Sequence, residues 1–368
     1  MTSTGVPTIL FVATPGALGG SNRSLLTVMG QLEGKAHRVL ASPGMGSFID
    51  VVTAEGLADE LVMLPRKPRQ KIDRWLRLIA GTRLAWWALR NRKRLTAIHA
   101  NALTGLNLAT MASLVTQKTT VVWIHDPVGS KWGKRLGPVL RRLLPKLRLA
   151  AVSPTAESVA VENGLCDEGD ATIVPNPIEV SEVAGLWERK GEMPLHVGFV
   201  GGATPRKGFD LLPAAVAALE DRPITWKLYV SLEPRHFNEG TWARLRLHDS
   251  DVVDPVGKLS DVRQVYADLD IVFIPSRAES FCRVAAEAML NGIPVVGSDI
   301  EPLRALLGDD EAGLLFPSED VDAAGAALRK LIDDSELRAQ LGAAGMERAH
   351  RFAPNSITEQ LMELYGIV

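Results

Sequence analysis

Ile271-Val-Phe-Ile-Pro-Ser-Arg-Ala-Glu279-Ser-Phe-Cys-Arg-Val-Ala-Ala-Glu287-Ala-Met-Leu-Asn-Gly-Ile-Pro294-Val-Val-Gly297 changes its hydrophobic period twice. The apolar run Ile271 to Ile274 suits a strand covered on both faces. Ser280 reads as an N-cap, Phe281 to Asn291 as a helix and Gly292 as its C-terminal stop, with Pro294 opening a second buried strand. Strand, helix and strand in this order predict a βαβ unit in a parallel sheet.

The same alternation continues outward. Upstream in this half, Leu195 to Val200, Trp226 to Val230 and Val252-Val253 are further candidate strands. The first half repeats the theme at Thr8 to Ala13, Arg38 to Ala41, Ala97 to His99, Thr119 to Ile124 and Leu149 to Ser153, with helical patterns between most of them. The chain of 368 residues is comfortable for two domains, and its 46% hydrophobic content lets each bury a core. The expected architecture is α/β, with two Rossmann-like, doubly wound domains and a cleft between the carboxyl ends of their sheets. The expected boundaries are 1–183 and 184–350, with a linker near 178–193 and a last segment, 351–368, that carries an isolated helix from about Ser356 to Tyr365.

The formal net charge of −2 hides an asymmetry. Residues 1–150 hold 22 Lys and Arg against 7 Asp and Glu, and the remainder holds 19 against 36. Arg66 to Arg94 contains eleven basic residues with Trp75, Trp86 and Trp87; Lys131 to Arg148 adds seven with Trp132. Basic amphipathic segments with tryptophan suit an anionic membrane surface, and solvated helix faces are the alternative. Nucleic acid gains no support from the fold. Cys166 and Cys282 form no ligand pattern, and no secretory leader or spanning segment is visible, so a cytoplasmic protein, peripheral on the inner face of a membrane, is expected.

The helix after Ile274 would direct its first amides toward an anion such as a diphosphate. Glu287 falls among Ala285, Ala286, Ala288 and Met289, where a carboxylate needs a donor, and ribose hydroxyls would serve. Taken alone, the pair Glu279 and Glu287 is read equally well as a cap-adjacent and a solvated glutamate.

The setting E-S-F-x-x-V-x-x-E-A-M-x-x-G-x-P-V-V resembles the signature of retaining GT-B glycosyltransferases, especially glycosyltransferase family 4. Phe199-Val-Gly-Gly-Ala-Thr-Pro-Arg-Lys-Gly208, Ile173-Val-Pro-Asn-Pro177, Ala151-Val-Ser-Pro and Val265-Tyr-Ala-Asp are similar to other segments of that family. The resemblance implies hexosyl transfer from a nucleoside-diphosphate sugar to a hydroxyl acceptor, and the basic segments imply that this acceptor is lipid-linked or membrane-proximal; no His/Asp/Glu cluster suits a metal, and no cofactor or metal is expected. The resemblance implies that Lys207 holds the diphosphate and that Glu279 lies near the donor sugar. It further implies that Ser280, Phe281, Cys282 and Arg283 line the donor, that Glu287 binds ribose, and that Lys258 serves the nucleotide. The chain departs from the family at Gly202, where the family has arginine; Arg206 either replaces that cation or is solvated.

Gly16-Ala-Leu-Gly19-Gly20-Ser-Asn22 lacks the ending of a P-loop, and the resemblance places Gly19 and Gly20 near donor phosphates, with Asn22 on the acceptor side. His125 and Asp126 end the strand from Thr119 and are candidates for the sugar and acceptor, a structural histidine being the rival. Asn176 is a further acceptor-side candidate. A nucleotide-sugar epimerase on the same fold and a non-catalytic nucleotide-sugar-binding subunit remain as alternatives.

Overall fold

The computed structural model describes residues 5–13, 19–44, 46–65, 73–125, 131–179, 193–230, 239–245, 252–257 and 262–367. They divide into two units: residues 1–177 with 354–368, and residues 178–353.

Unit 1 runs β1 (Thr8–Val12), α1 (Gly20–Gln31), β2 (His37–Pro43), α2 (Ser47–Ala54), β3 (Glu60–Leu64), α3 (Asp73–Arg90), β4 (Leu95–Asn101) and α4 (Ala102–Thr116). It continues through β5 (Thr119–Ile124), α5 (Lys131–Leu143), β6 (Leu147–Ala151), α6 (Pro154–Glu162) and β7 (Thr172–Ile173). The strands form one sheet in the order β3-β2-β1-β4-β5-β6-β7, every neighbour parallel. All of β1 is buried, as expected where helices cover both faces.

Unit 2 contains β8 (Leu195–Gly201), α7 (Leu212–Ala217), β9 (Ile224–Val230), α8 (Glu239–Leu245), β10 (Val253–Asp254), α9 (Val262–Ala267), β11 (Ile271–Ile274) and α10 (Arg283–Leu290). β12 (Val295–Ser298), α11 (Glu301–Leu307), β13 (Gly313–Phe316), α12 (Val321–Asp333) and α13 (Ser335–Ala349) complete it. Its six-stranded parallel sheet is ordered β10-β9-β8-β11-β12-β13. Phe199, Trp226, Phe273 and Phe316 are buried in its core together with Leu328 and Leu331 of α12. The last helix, α14 (Pro354–Tyr365), belongs to unit 1 and packs on α1, β4 and β5.

Each sheet reverses its direction of winding once, between β1 and β4 in unit 1 and between β8 and β11 in unit 2. Connections leave to opposite faces at such a point, which opens a crevice beyond the strand ends where ligands of α/β sheets bind.

Three strands escaped the apolar-run criterion. β3 and β7 are edge strands, and β3 alternates buried and exposed positions. β7 has only two residues, both exposed, and β13 only four. An edge strand needs no continuous apolar run. The helix expected from Phe281 begins instead at Arg283, and its N-cap is Cys282, not Ser280. Cys282 sits at φ 67°, a left-handed conformation that stops the helix from extending further back.

Candidate functional site

The loops after β8 and β11 meet beyond the switch point of unit 2. Pro205–Lys207 forms a single 3-10 turn that ends at Gly208. Gly208 has φ 70°, and a Cβ there would lie 1.9 Å from the carbonyl oxygen of Pro275, so only glycine lets the turn close onto the loop after β11. Lys207 Nζ lies 2.5 Å from Glu279 Oε1, and the Ser276 hydroxyl donates to the same oxygen at 2.8 Å. Arg206 Nη1 is 3.5 Å from Glu279 Oε2 and donates to the carbonyl of Ala278 at 2.8 Å. Glu279 is buried, Lys207 is largely covered, and Arg206 is half exposed.

Gly202 is followed by open space: a Cβ built on it meets nothing nearer than Thr204 Cγ2 at 3.7 Å. That position therefore has room for a Cβ, and Arg206 reaches the Glu279 carboxylate from the next turn.

Glu287 has protein partners. Tyr266 on α9 donates its hydroxyl to Oε2 at 2.8 Å, and Arg283, one turn back on α10, lies 3.3 Å from Oε1. Burial, with the Glu287 carboxylate beside it, raises the Tyr266 phenol well above its usual value, so it stays a donor. Burial, reinforced by Glu279, pushes the Cys282 thiol up to about 12, which leaves it without nucleophilic character at neutral pH. No side chain caps α10. Phe281 is buried edge-on to Phe352, their ring centroids 5.2 Å apart.

Among the described residues, amides and a hydroxyl gather at the switch point of unit 1. Gly19 is the N-cap of α1 and supplies no side-chain cap, and Gly20 opens the helix. Asn22, on the first turn, accepts from Asn101 Nδ2 at 3.4 Å, and Asn101 closes β4. The Ser24 hydroxyl donates to Asn176 Oδ1 at 2.7 Å, which brings the segment after β7 to the same helix end. His125 stands at the end of β5 with its ring 4.5 Å from that of Trp123. Below this layer the Tyr365 hydroxyl and His99 Nδ1 are 2.8 Å apart, both residues buried. Burial pushes the His99 imidazole down to about 3. Gly16, Asp126 and Lys258, named from the sequence, lie outside the described residues.

Arg206, Lys207 and Glu279 thus come together in unit 2, as do Arg283 and Glu287, while Asn22 and Asn176 gather in unit 1. Sequence reasoning missed Tyr266, although the run that holds it was singled out, and it missed Asn101, whose only sequence signal is its place at the end of a buried strand.

Residues 188–348 match the family described as glycosyl transferases group 1. This match spans most of unit 2. The chain is 31% identical over 210 residues to a phosphatidyl-myo-inositol mannosyltransferase of Mycolicibacterium smegmatis, covering 54% of this chain and 52% of the relative. It is 35% identical over 189 residues to a D-inositol 3-phosphate glycosyltransferase of Corynebacterium glutamicum, covering 47% and 44%. The chain spans about half the length of the curated relatives it matches. The fold is shared across both units: a glycosyltransferase from Rickettsia africae superposes with a TM-score of 0.81 at 16% identity, over 98% of this chain and 97% of that one. Anabaena HepE in complex with UDP gives 0.80 at 20%, over 98% and 100%. The two parallel sheets flanked by helices are those of the GT-B fold.

Proposed function

We propose that the chain is a glycosyltransferase that moves a hexosyl group from a nucleoside-diphosphate sugar to a hydroxyl acceptor, with retention and without a metal. The observation that carries this reading is the convergence of Arg206 and Lys207 on Glu279 at the switch point of unit 2. As the bond from the sugar C1 to the phosphate oxygen breaks, negative charge grows on the departing diphosphate. Two fixed cations and the uncapped first amides of α10 suit that charge. The acceptor oxygen bonds to C1 on the face being vacated, and its proton passes to the leaving phosphate oxygen. No enzyme nucleophile is needed. Glu287, oriented by Tyr266 and Arg283, accepts from ribose hydroxyls. On the acceptor side, Asn22, Asn176 and His125 supply donors and acceptors suited to hydroxyl groups. The names of the relatives, inositol-lipid and inositol-phosphate glycosyltransferases, agree with a hydroxylated acceptor.

One further observation favours an acceptor at an anionic membrane surface on the cytoplasmic side. Leu78, Ile79, Trp86 and Leu89 are exposed on one face of α3, with Arg83 and Arg90 beside them and the Arg90 guanidinium 4.4 Å from the Trp86 ring. Val139 and Leu143 are exposed on α5. Among the described residues no helix is long and apolar enough to cross a membrane, so this face would lie on the surface.

Calorimetry with UDP, GDP and ADP, followed by nucleotide release from their glucose conjugates, tests the reading. One nucleotide should bind, and turnover should survive exhaustive EDTA. Loss of turnover in EDTA with recovery in Mn²⁺ removes the metal-free mechanism. Binding of none of the three removes the donor assignment.

A further inference from the structure

Arg277 lies in the loop between β11 and α10, two residues before Glu279. It carries no role in the transfer described above, yet its guanidinium donates four hydrogen bonds. Its guanidinium donates to both carboxylate oxygens of Asp210, at 2.7 and 2.9 Å, to Glu319 Oε1 at 2.7 Å, and to the carbonyl of Pro205. Its backbone N–H donates to the carbonyl of Arg206 at 2.8 Å. Pro205 and Arg206 belong to the turn that presents Lys207, and Asp210 lies three residues after Lys207, in the next 3-10 turn, Phe209–Leu211.

We propose that Arg277 is a positioning residue, a clamp that holds the Pro205–Lys207 turn against the loop of Glu279 and so sets Arg206 and Lys207 in place before the donor arrives. The proposal rests on the reading of that turn as the diphosphate site. The physical need is specific. Arg206 and Lys207 are adjacent like charges on a one-turn element, which by itself has too few bonds to hold them. A bidentate arginine–carboxylate pair gives directional, charge-assisted bonds across the gap. Arg277 is itself a cation near the same place, but Asp210 and Glu319 occupy its donors and balance its charge. It therefore organises the site without competing for phosphate. Preorganised cations stabilise leaving-group charge without reorganisation during reaction, and a misplacement of about 1 Å costs on the order of a hundredfold in rate.

The test compares Arg277→Ala, Arg277→Lys, Asp210→Asn and the Arg277→Ala/Asp210→Asn double variant with the wild type. Amide hydrogen exchange over residues 204–210 is read on the ligand-free protein. Nucleotide release is read with whichever of UDP-glucose, GDP-glucose or ADP-glucose the wild type turns over. Arg277→Ala should speed exchange in 204–210 while β8 and α10 keep their protection. It should lower kcat by about ten- to a hundredfold and change nucleoside-diphosphate affinity by less than about threefold. Arg277→Lys, which keeps a cation but not the fork, should recover part of kcat, and the double variant should cost little more than Arg277→Ala alone. Unchanged exchange in 204–210, or a lower melting temperature with wild-type kcat, overturns the proposal. A wild type that binds none of the nucleotides overturns the donor assignment instead, and the exchange data then still decide whether Arg277 holds the turn.

Discussion

The two sheets share one strand order, β3-β2-β1-β4-β5-β6 in unit 1 and β10-β9-β8-β11-β12-β13 in unit 2, yet what stands beyond their switch points differs in kind. Unit 2 gathers formal charge: Arg206 and Lys207 on Glu279, and Arg283 on Glu287. Unit 1 gathers amides and a hydroxyl, Asn22 with Asn101 and Ser24 with Asn176. Fixed cations suit a group whose charge grows during reaction, whereas neutral amides can orient hydroxyls without burying an unbalanced charge. One backbone plan thus offers two chemistries, and the side chains just past the strand ends choose between them.

Removing charge from unit 2 should have the largest effect. Lys207→Ala and Arg206→Ala should each lower kcat for donor turnover by about ten- to a thousandfold, and the double variant should cost less than their product if both serve one diphosphate, as proposed. Gly202→Arg should restore part of the rate to Arg206→Ala, because that position has space for a Cβ. Wild-type kcat and KM in Arg206→Ala would leave Lys207 as the working cation and narrow the contrast between the units. Glu287→Ala should come next. A charge-assisted hydrogen bond contributes roughly 1.5–3 kcal/mol, so nucleoside-diphosphate binding should weaken about tenfold or more by calorimetry. Its melting temperature should also fall, since the buried Tyr266 hydroxyl loses its acceptor; unchanged affinity in a folded variant removes Glu287 from the donor site.

Unit 1 should reveal itself through acid. His99 titrates near 3 when folded and near 6.5 when unfolded, so between those values the unfolded chain binds the extra proton. Stability is therefore complete above about pH 6.5 and is lost as pH falls toward 3. Going from pH 7 to 5 should cost unit 1 about 2 kcal/mol in urea unfolding, and His99→Gln should flatten that slope. An equal slope in the variant would show that other groups carry it. The smallest effect is expected at Cys282→Gly. Relief of the left-handed conformation gains about 1 kcal/mol and loss of the buried thiol costs a similar amount. The melting temperature should move by only a few degrees, with kcat retained; a large loss would mean that the thiol packs against something the turn depends on.

These contrasts also explain what was legible in the sequence. Central strands such as β1 and β11 announce themselves because both faces are buried, while β3 alternates and β7 is too short to show a period. The two glutamates and the Arg-Lys pair could be named through the family resemblance of the segments that hold them, since the residues alone left Glu279 and Glu287 open. The start of α10 was misplaced because a serine before a helix has the chemistry of a cap, and nothing in a cysteine signals a positive φ. Tyr266, Arg277 and Asn101 act through partners distant in sequence, Arg277 and Asp210 being 67 positions apart, and such pairings exist only after folding.

The return of α14 to unit 1 bears on the order in which the molecule can be made. Unit 2 is continuous in sequence and can close as soon as it emerges from the ribosome, whereas unit 1 is interrupted by the whole of unit 2. Until α14 is synthesised, His99 lacks its Tyr365 partner, and the faces of β4 and β5 on which α14 packs stay bare. The half encoded first is thus the half completed last, and a nascent chain would carry uncovered faces of β4 and β5 for as long as its other half takes to translate.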